Sequence, residues 1–351
     1  MFKKQLLLVT ALGLYGAAYA QSSVTLFGVV DATMSRGTGS ISSRTQMSRG
    51  GNATPRIGFR GVEDLGGGWS AGFWLEGGVN TDDGTGGGTN TNNQSTGVAP
   101  AAAGGQGLTF ARRSTVQLAG PWGEIRLGRD YNPQYWSLLY GDAFGNVGVG
   151  AAVNYTQSVS TFIQVRSSNA IMYWSPDWNG FKFNAMHYRG ENASNAANSE
   201  DGTGSGVRLA YDAKPLALGI GWGKTEYLSG DLVQRNINAG WDFGVAKLVA
   251  DLNRDKLGPL NIKGGAASVI VPVGVGEIRG SYSFHKTSAV GHPEAKKVAI
   301  GYVHNLSKRS AIYATYARVR NSGGSTVSLN GATTGANQSS SGLDLGVRHS
   351  F

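Results

Sequence analysis

Histidine, the commonest metal ligand and proton carrier, occurs five times. No two of His187, His285, His292, His304 and His349 stand at a spacing that would put both rings on one ion. Cysteine is absent, which removes thiolate chemistry. Gly223-Lys224-Thr225 copies the end of a phosphate-binding loop, but that pattern requires glycine at position 218, where Leu218 sits inside a strand-like stretch. No serine stands in a nucleophile elbow. What remains is charge: arginines carried on short alternating segments. Arg56, for example, has Ile57 and Phe59 on the opposite face. Two unit charges about 5 Å apart interact at roughly 3 kcal/mol for an effective dielectric near 20. Grouped arginines therefore need water, counter-ions or carboxylates, a condition met in an aqueous passage and not in a dry core. Residues of this kind predict neither a metal nor a cofactor.

The elements that must hold these arginines are strands. In the last ten residues Leu343, Leu345, Val347, His349 and Phe351 fall on one side, and Gly342, Asp344, Gly346, Arg348 and Ser350 on the other. The same period of two places Leu216, Leu218, Ile220 and Trp222 against Ala217, Gly219, Gly221 and Gly223. Tight turns are expected at Asp64–Gly68, Gly120–Gly123, Pro176–Gly180, Asp212–Pro215, Asp242–Gly244, Pro272–Gly276 and Asn305–Lys308. Between them come longer polar connections: Gly37–Thr54, Asn80–Leu108, Asn132–Ser167, Glu191–Ser205, Ser229–Gln234, Arg254–Asn261, Lys286–Lys296 and Asn321–Ser341. Seven tight turns alternating with eight long connections imply sixteen strands. Strands joined up and down, with short connections at one rim and long ones at the other, describe an all-β antiparallel barrel standing in a bilayer. At that size side chains cannot fill the interior, so water does.

Composition agrees with this reading. Glycine supplies 55 of 351 residues with only 9 prolines, a mixture suited to crowded, twisted strands and not to collagen or disorder. The mature chain shows no run of 18 apolar residues, so a spanning helix is not expected, a test that barrel strands of about ten alternating residues escape. Lys3 and Lys4, the apolar run Leu6–Leu14 and Ala18-Tyr19-Ala20 predict a signal peptide over 1–20. Its removal leaves residues 21–351 as the barrel and lowers the formal charge from +9 to +7. Basic residues are dispersed along the strands and not gathered in a block, so no nucleic-acid partner is expected.

Several stretches resemble the general Gram-negative porins, in particular their beta-proteobacterial anion-selective branch: Ser22–Asp31, Arg60–Gly68, Ala71–Glu76, Arg112–Val116, Leu127–Asp130 and Gly301–Arg309. The resemblance covers Gln21 to Phe351 and departs most in the Gly/Thr/Asn-rich insert Thr81–Gly107. It implies an outer-membrane homotrimer of sixteen-stranded barrels with long extracellular loops, short periplasmic turns and a third loop folded inward. Its surroundings would be outer-membrane lipid and lipopolysaccharide, and its cargo small hydrophilic solutes and anions. It also implies a constriction with Arg56, Arg112 and Arg166 on its basic side, facing Glu76 and Asp142. Arg60, Arg113, Arg126 and Arg129 would extend the lining. Alternation puts Arg56 and Glu76 inward but leaves Arg112 open. Val116 and Leu118 share its parity, so either a bulge turns Arg112 inward or Arg113 is the pore residue.

Three functions fit these features. The first is a passive, anion-preferring diffusion channel without covalent chemistry. A second is a substrate-specific channel on the same barrel, using Tyr131, Tyr135, Trp136 and Tyr140. The third is a secreted β-sandwich or solenoid that adheres or binds carbohydrate through its loops.

Overall fold

The computed structural model describes residues 23–88, 93, 107–154 and 165–351. The expected signal peptide, 1–20, and most of the insert Thr81–Gly107 lie outside the described residues. The strands are β1 Ser23–Thr38, β2 Arg44–Arg49, β3 Arg56–Gly66, β4 Trp69–Gly78, β5 Arg113–Gly120, β6 Gly123–Tyr131, β7 Arg166–Trp174, β8 Phe181–Tyr188 and β9 Gly204–Ala213. They continue as β10 Leu216–Thr225, β11 Leu232–Asp242, β12 Lys247–Leu257, β13 Leu260–Val273, β14 Gly276–Thr287, β15 Glu294–Asn305, β16 Ser310–Ser322 and β17 Ser340–Ser350. A helix, α1 Pro133–Leu139, lies in the third connection.

Every ladder is antiparallel, and β17 pairs with β1 from Val29↔Ser350 to Thr38↔Ser341, so the sheet closes on itself. Phe351 completes the seam by exchanging both backbone hydrogen bonds with Gly28. β2 and β3 share a single edge of β1, so the seventeen segments make sixteen wall positions. This is the expected barrel. Its faces are inverted relative to a soluble sheet: Ile300 and Val347 are 59% and 55% exposed, while Asp31, Thr33 and Ser283 are 0% exposed inside. Lipid must cover the first set, and the polar lumen takes the second. Trp69–Trp122 and Phe181–Tyr211 pair near the short turns, with ring centroids 5.7 and 4.7 Å apart. They form part of an interfacial aromatic band.

Two connections differ from expectation. The stretch Arg254–Asn261 is not a long loop, because β12 and β13 pair through to Leu257↔Leu260 and leave only Gly258 and Pro259 at the turn. Its charges mark the end of a strand that emerges into water. Within Gly37–Thr54, β2 continues the wall, and residues 50–55 then fold inward, where the Asp31 carboxylate accepts the Asn52 and Ala53 N–H groups at 3.0 and 2.6 Å. Arg279 on β14 reaches Asn52 Oδ1 at 3.0 Å.

The third connection is held inside. Pro133 opens α1 at a position where a missing N–H costs nothing. The helix rests on β10 because Gly221 has no side chain: a Cβ there would stand 2.8 Å from Gln134 Cα and 2.9 Å from Ser137 Cβ. Beside it, three successive inward residues of β11 reach the helix. Gln234 accepts from Gln134 at 3.2 Å, Asn236 donates to the Gln134 carbonyl at 2.9 Å, and Asn238 donates to the Ser137 carbonyl at 2.6 Å. Farther along, Asp344 accepts the Val149 N–H at 2.8 Å, Ser283 accepts the Val153 N–H at 3.0 Å, and the buried Lys297 donates to the carbonyls of Val149 and Ala151. The loop is thus fastened along the inner wall opposite β3–β7. Replacing Gly221 with valine is expected to unseat α1 while the barrel still closes: channel conductance should rise by about half or more, with unchanged heat-modifiable migration. Conductance at the wild-type value would show that the glycine is not what admits the helix.

Candidate pore constriction

Five adjacent strands present charged and aromatic side chains to the lumen facing that loop. Glu76 on β4 is their hub. Its carboxylate receives Arg112 Nε at 2.6 Å and Trp74 Nε1 at 3.1 Å, with Arg56 Nε 3.7 Å away. The Glu76 backbone carbonyl also accepts the Arg112 N–H at 3.0 Å, while Arg113 is its ladder partner. Two consecutive residues thus oppose one, as at a bulge, and both guanidiniums enter the site. Arg113 is 3.4 Å from Asp130 and donates to Gln117 at 2.7 Å. Arg126 is clasped between Glu124 at 2.5 Å and Asp130 at 3.0 Å.

The Tyr131 hydroxyl accepts from both Arg112 and Arg166, and the Arg166 guanidinium lies over its ring, 4.0 Å from the centroid. Arg126 lies 4.2 Å from the centroid of Trp174 and Arg113 4.6 Å from that of Trp74. These contacts set the cations over π-faces while their N–H groups reach carboxylate, amide and hydroxyl oxygens. Arg60 joins them on the same face, 5.1 Å above Trp74 and 5.4 Å above Phe27. Arg60 aside, which has no carboxylate within 4.0 Å among the described residues, the guanidiniums of residues 56, 112, 113, 126 and 166 outnumber the carboxylates of Glu76, Glu124 and Asp130, five to three, an excess of two positive charges.

Two residues expected at the constriction stand elsewhere. Asp142 is buried in the third loop, where its oxygens accept the N–H groups of Phe144, Asn146 and Ala152 at 3.0, 2.8 and 3.2 Å. Burial raises its pKa despite those donors and the nearby Lys297 ammonium. It shapes the loop and does not face the arginines, because a turn with three inward-pointing N–H groups captures the nearest carboxylate. Arg129 shares the outward face of Ile125 and Leu127, and its guanidinium is held by the Ala111 carbonyl at 2.6 Å and Ser168 Oγ at 2.9 Å. It therefore stands behind the wall, not in the lumen.

The loop side of the gap is aromatic and aliphatic. A cavity of about 540 Å³ separates Arg56, Arg112, Arg113 and Glu76 from Trp136 and Leu139 of α1. Tyr135 stacks on Tyr131 with centroids 5.2 Å apart, and burial pushes its pKa up to about 12, so it stays neutral. Tyr140 lies apart, under the Lys247 ammonium at 4.8 Å. Asp130 and Trp74, both central here, were not singled out by the sequence pattern, although the first is inward by parity with Arg126. Among the described residues no group of His, Asp and Glu could hold a metal ion.

Comparison with known proteins gives consistent matches. A family model described as Gram-negative porin matches residues 8–324. Outer membrane porin protein 32 of Delftia acidovorans is 34% identical, over 99% of this chain and 100% of its own. An outer membrane porin of Bordetella pertussis is 26% identical, over 89% and 93%. Among solved structures, the anion-selective porin from Comamonas acidovorans superposes with a TM-score of 0.80 at 33% identity, covering 94% of this chain and all of that one. The trimer form of OmpT from Vibrio cholerae shares the fold alone, with a TM-score of 0.67 at 12% identity over 94% and 99%.

Substituting Glu76 with glutamine removes the charge that Arg56 and Arg112 share. Unfolding in urea, followed by tryptophan fluorescence, should show a loss of about 1–3 kcal/mol, the worth of hydrogen bonds to charged groups. An unchanged midpoint would mean that Tyr131 and the backbone hold the arginines without it.

Proposed function

The chain belongs to the Gram-negative porin family and is an outer-membrane porin, and we propose that its channel passes small hydrophilic solutes by passive diffusion with a preference for anions. One observation supports this most: the excess of two positive charges about Glu76, set in a water-filled lumen where the third loop narrows it. Arg56, Arg112 and Arg166, with Arg60, Arg113 and Arg126 beside them, lower the barrier for an anion and raise it for a cation. Their edges exchange bound water for a passing oxyanion, and the carboxylates keep the site from trapping it. No covalent step is needed.

In this reading residues 1–20 are a signal peptide, and the mature chain assembles as a homotrimer in lipid and lipopolysaccharide. The OmpT trimer and the shared barrel support the assembly. A second reading, a channel that holds one solute class, is favoured by the continuous run of Tyr131, Trp136 and Trp174, with centroids 5.1 and 6.1 Å apart. Saturation of conductance by an organic solute would mark it.

Changing Arg56, Arg112 and Arg166 together to glutamine should move the zero-current potential in a salt gradient towards cation preference. The wild-type preference should shrink between 0.1 and 1 M salt, since the screening length falls from about 10 Å to about 3 Å. A reversal potential that ignores the substitutions would refute the assignment.

A further inference from the structure

Arg56 differs from its neighbours Arg112, Arg113 and Arg126 in what holds it. Its side chain is 31% exposed, against 14%, 14% and 13% for those three. Among the described residues its guanidinium makes one hydrogen bond, from Nη1 to the Thr54 carbonyl at 3.2 Å, and a loose ion pair with Glu76 at 3.7 Å. Arg112 donates to Glu76 and Tyr131 at 2.6 and 3.2 Å, and Arg113 to Thr115 and Gln117 at 3.0 and 2.7 Å. Of these four arginines, Arg56 keeps the most N–H capacity for a solute.

The gap in front of Arg56 has two unlike sides. Every other residue of α1 is buried, but Trp136 and Leu139 are only half-buried, and they stand three apart, on one helix face. That face closes the cavity of about 540 Å³ opposite Arg56, with Phe27 and Trp74 beside the guanidinium. Among the described residues no lysine, histidine or side-chain amide lines the cavity, and its only hydroxyls are those of Tyr131 and Ser350. A polyhydroxylated solute would leave its hydroxyls short of partners there. A compact inorganic anion would engage the guanidiniums and leave the apolar side in water. A solute that satisfies both sides carries one oxyanion and one flat apolar body.

We propose that the constriction holds a small aromatic carboxylate of the benzoate type, its carboxylate on the Arg56 N–H groups and its ring against Trp136 and Leu139. The inference rests on the anion-preferring channel reading and names the class of anion. Guanidinium and carboxylate meet as two planar forks. Tyr131 and Trp174 already meet Trp136 edge to face, at interplanar angles of 71° and 88°. A solute ring adds one more aromatic contact to that chain, worth more than its apolar area alone. Glu76, 3.7 Å from Arg56, limits how firmly the carboxylate is held, so the solute leaves as well as enters.

Single-channel recording of the refolded wild-type barrel in chloride, with benzoate, cyclohexanecarboxylate, acetate or benzyl alcohol added, tests the site. Benzoate should block the chloride current at a concentration roughly tenfold below that needed of acetate or cyclohexanecarboxylate, and benzyl alcohol should block less than any of the three. Trp136→Leu, which keeps apolar bulk and removes the ring, should bring benzoate to the level of cyclohexanecarboxylate. Arg56→Gln should weaken the benzoate block about tenfold. Equal block by benzoate and acetate would overturn the proposal. So would benzyl alcohol or cyclohexanecarboxylate blocking as well as benzoate, or a benzoate block that Trp136→Leu leaves intact. The solute series needs only the wild-type channel, so it decides the question even where a substituted barrel fails to close. The zero-current potential in a salt gradient, measured on the same channels, reports on the reading beneath. Anion preference without discrimination among the carboxylates would overturn this inference alone, and cation preference would overturn both.

Discussion

In hydrocarbon, every backbone N–H and C=O must find its partner within the protein, and a sheet can meet that demand only by closing. The pairing of β17 with β1, finished by Phe351 against Gly28, is where this molecule meets it. Once the ring is shut, the side chains have no choice of surroundings. Leu345 and Val347 face lipid, while Asp344 on the same strand faces the lumen, its carboxylate accepting from Ser35 at 2.8 Å and from the Val149 N–H at 2.8 Å. An inward wall that would be a fault in a soluble protein becomes the one place where charge is affordable.

A closed ring of sixteen strands leaves a void that its own side chains do not fill. The third loop occupies part of it, and the way it is fastened follows from the polarity of the wall. Backbone groups that the loop cannot satisfy itself are met by Asn236, Asn238, Ser283, Asp344 and Lys297, and the Gln134 side chain by Gln234, all inward residues of strands. Glycine at 221 gives α1 a flat seat. The loop therefore takes up one side of the lumen and leaves the arginines of β3–β7 facing open space on the other. The basic wall and the loop are two consequences of one asymmetry: small and amide side chains where the loop must lie, and large charged ones where it must not.

Much of this was legible in the sequence, because a period of two survives any detail of packing. Strand number follows from the succession of short and long connections, and the inward placement of Arg56 and Glu76 from alternation. What alternation misses are events that change parity or depend on distant chain. The bulge that brings Arg112 in beside Arg113 is a backbone event with no signature in side-chain type. Asp142 lies in the right loop, but its carboxylate is taken by three local N–H groups before it can face the pore. Arg129 is a different case: its parity with Ile125 and Leu127 already put it on the outer face, against its expected place in the lining. The charges of Arg254–Lys256 read as loop because a strand that outruns the membrane looks as polar as one. The alternating glycines of β10 were visible, yet nothing in the sequence said what they made room for.

A carboxylate at the centre of a basic wall needs a physical reason. Without Glu76 the nearest guanidiniums, on Arg56 and Arg112, would repel each other across a partly desolvated surface and splay toward whatever acceptors they could reach. With it, they are drawn to one point, and Tyr131, Trp74 and Trp174 fix the orientation of the remaining arginines through their π-faces. Charge is spent to obtain position, and the five-to-three ratio leaves the sign unchanged. An unpaired cluster would also bind a passing anion too firmly to release it, whereas conduction requires entry and exit alike. Partial neutralisation thus serves geometry and throughput together, provided that water keeps the interior polar enough for the excess to remain.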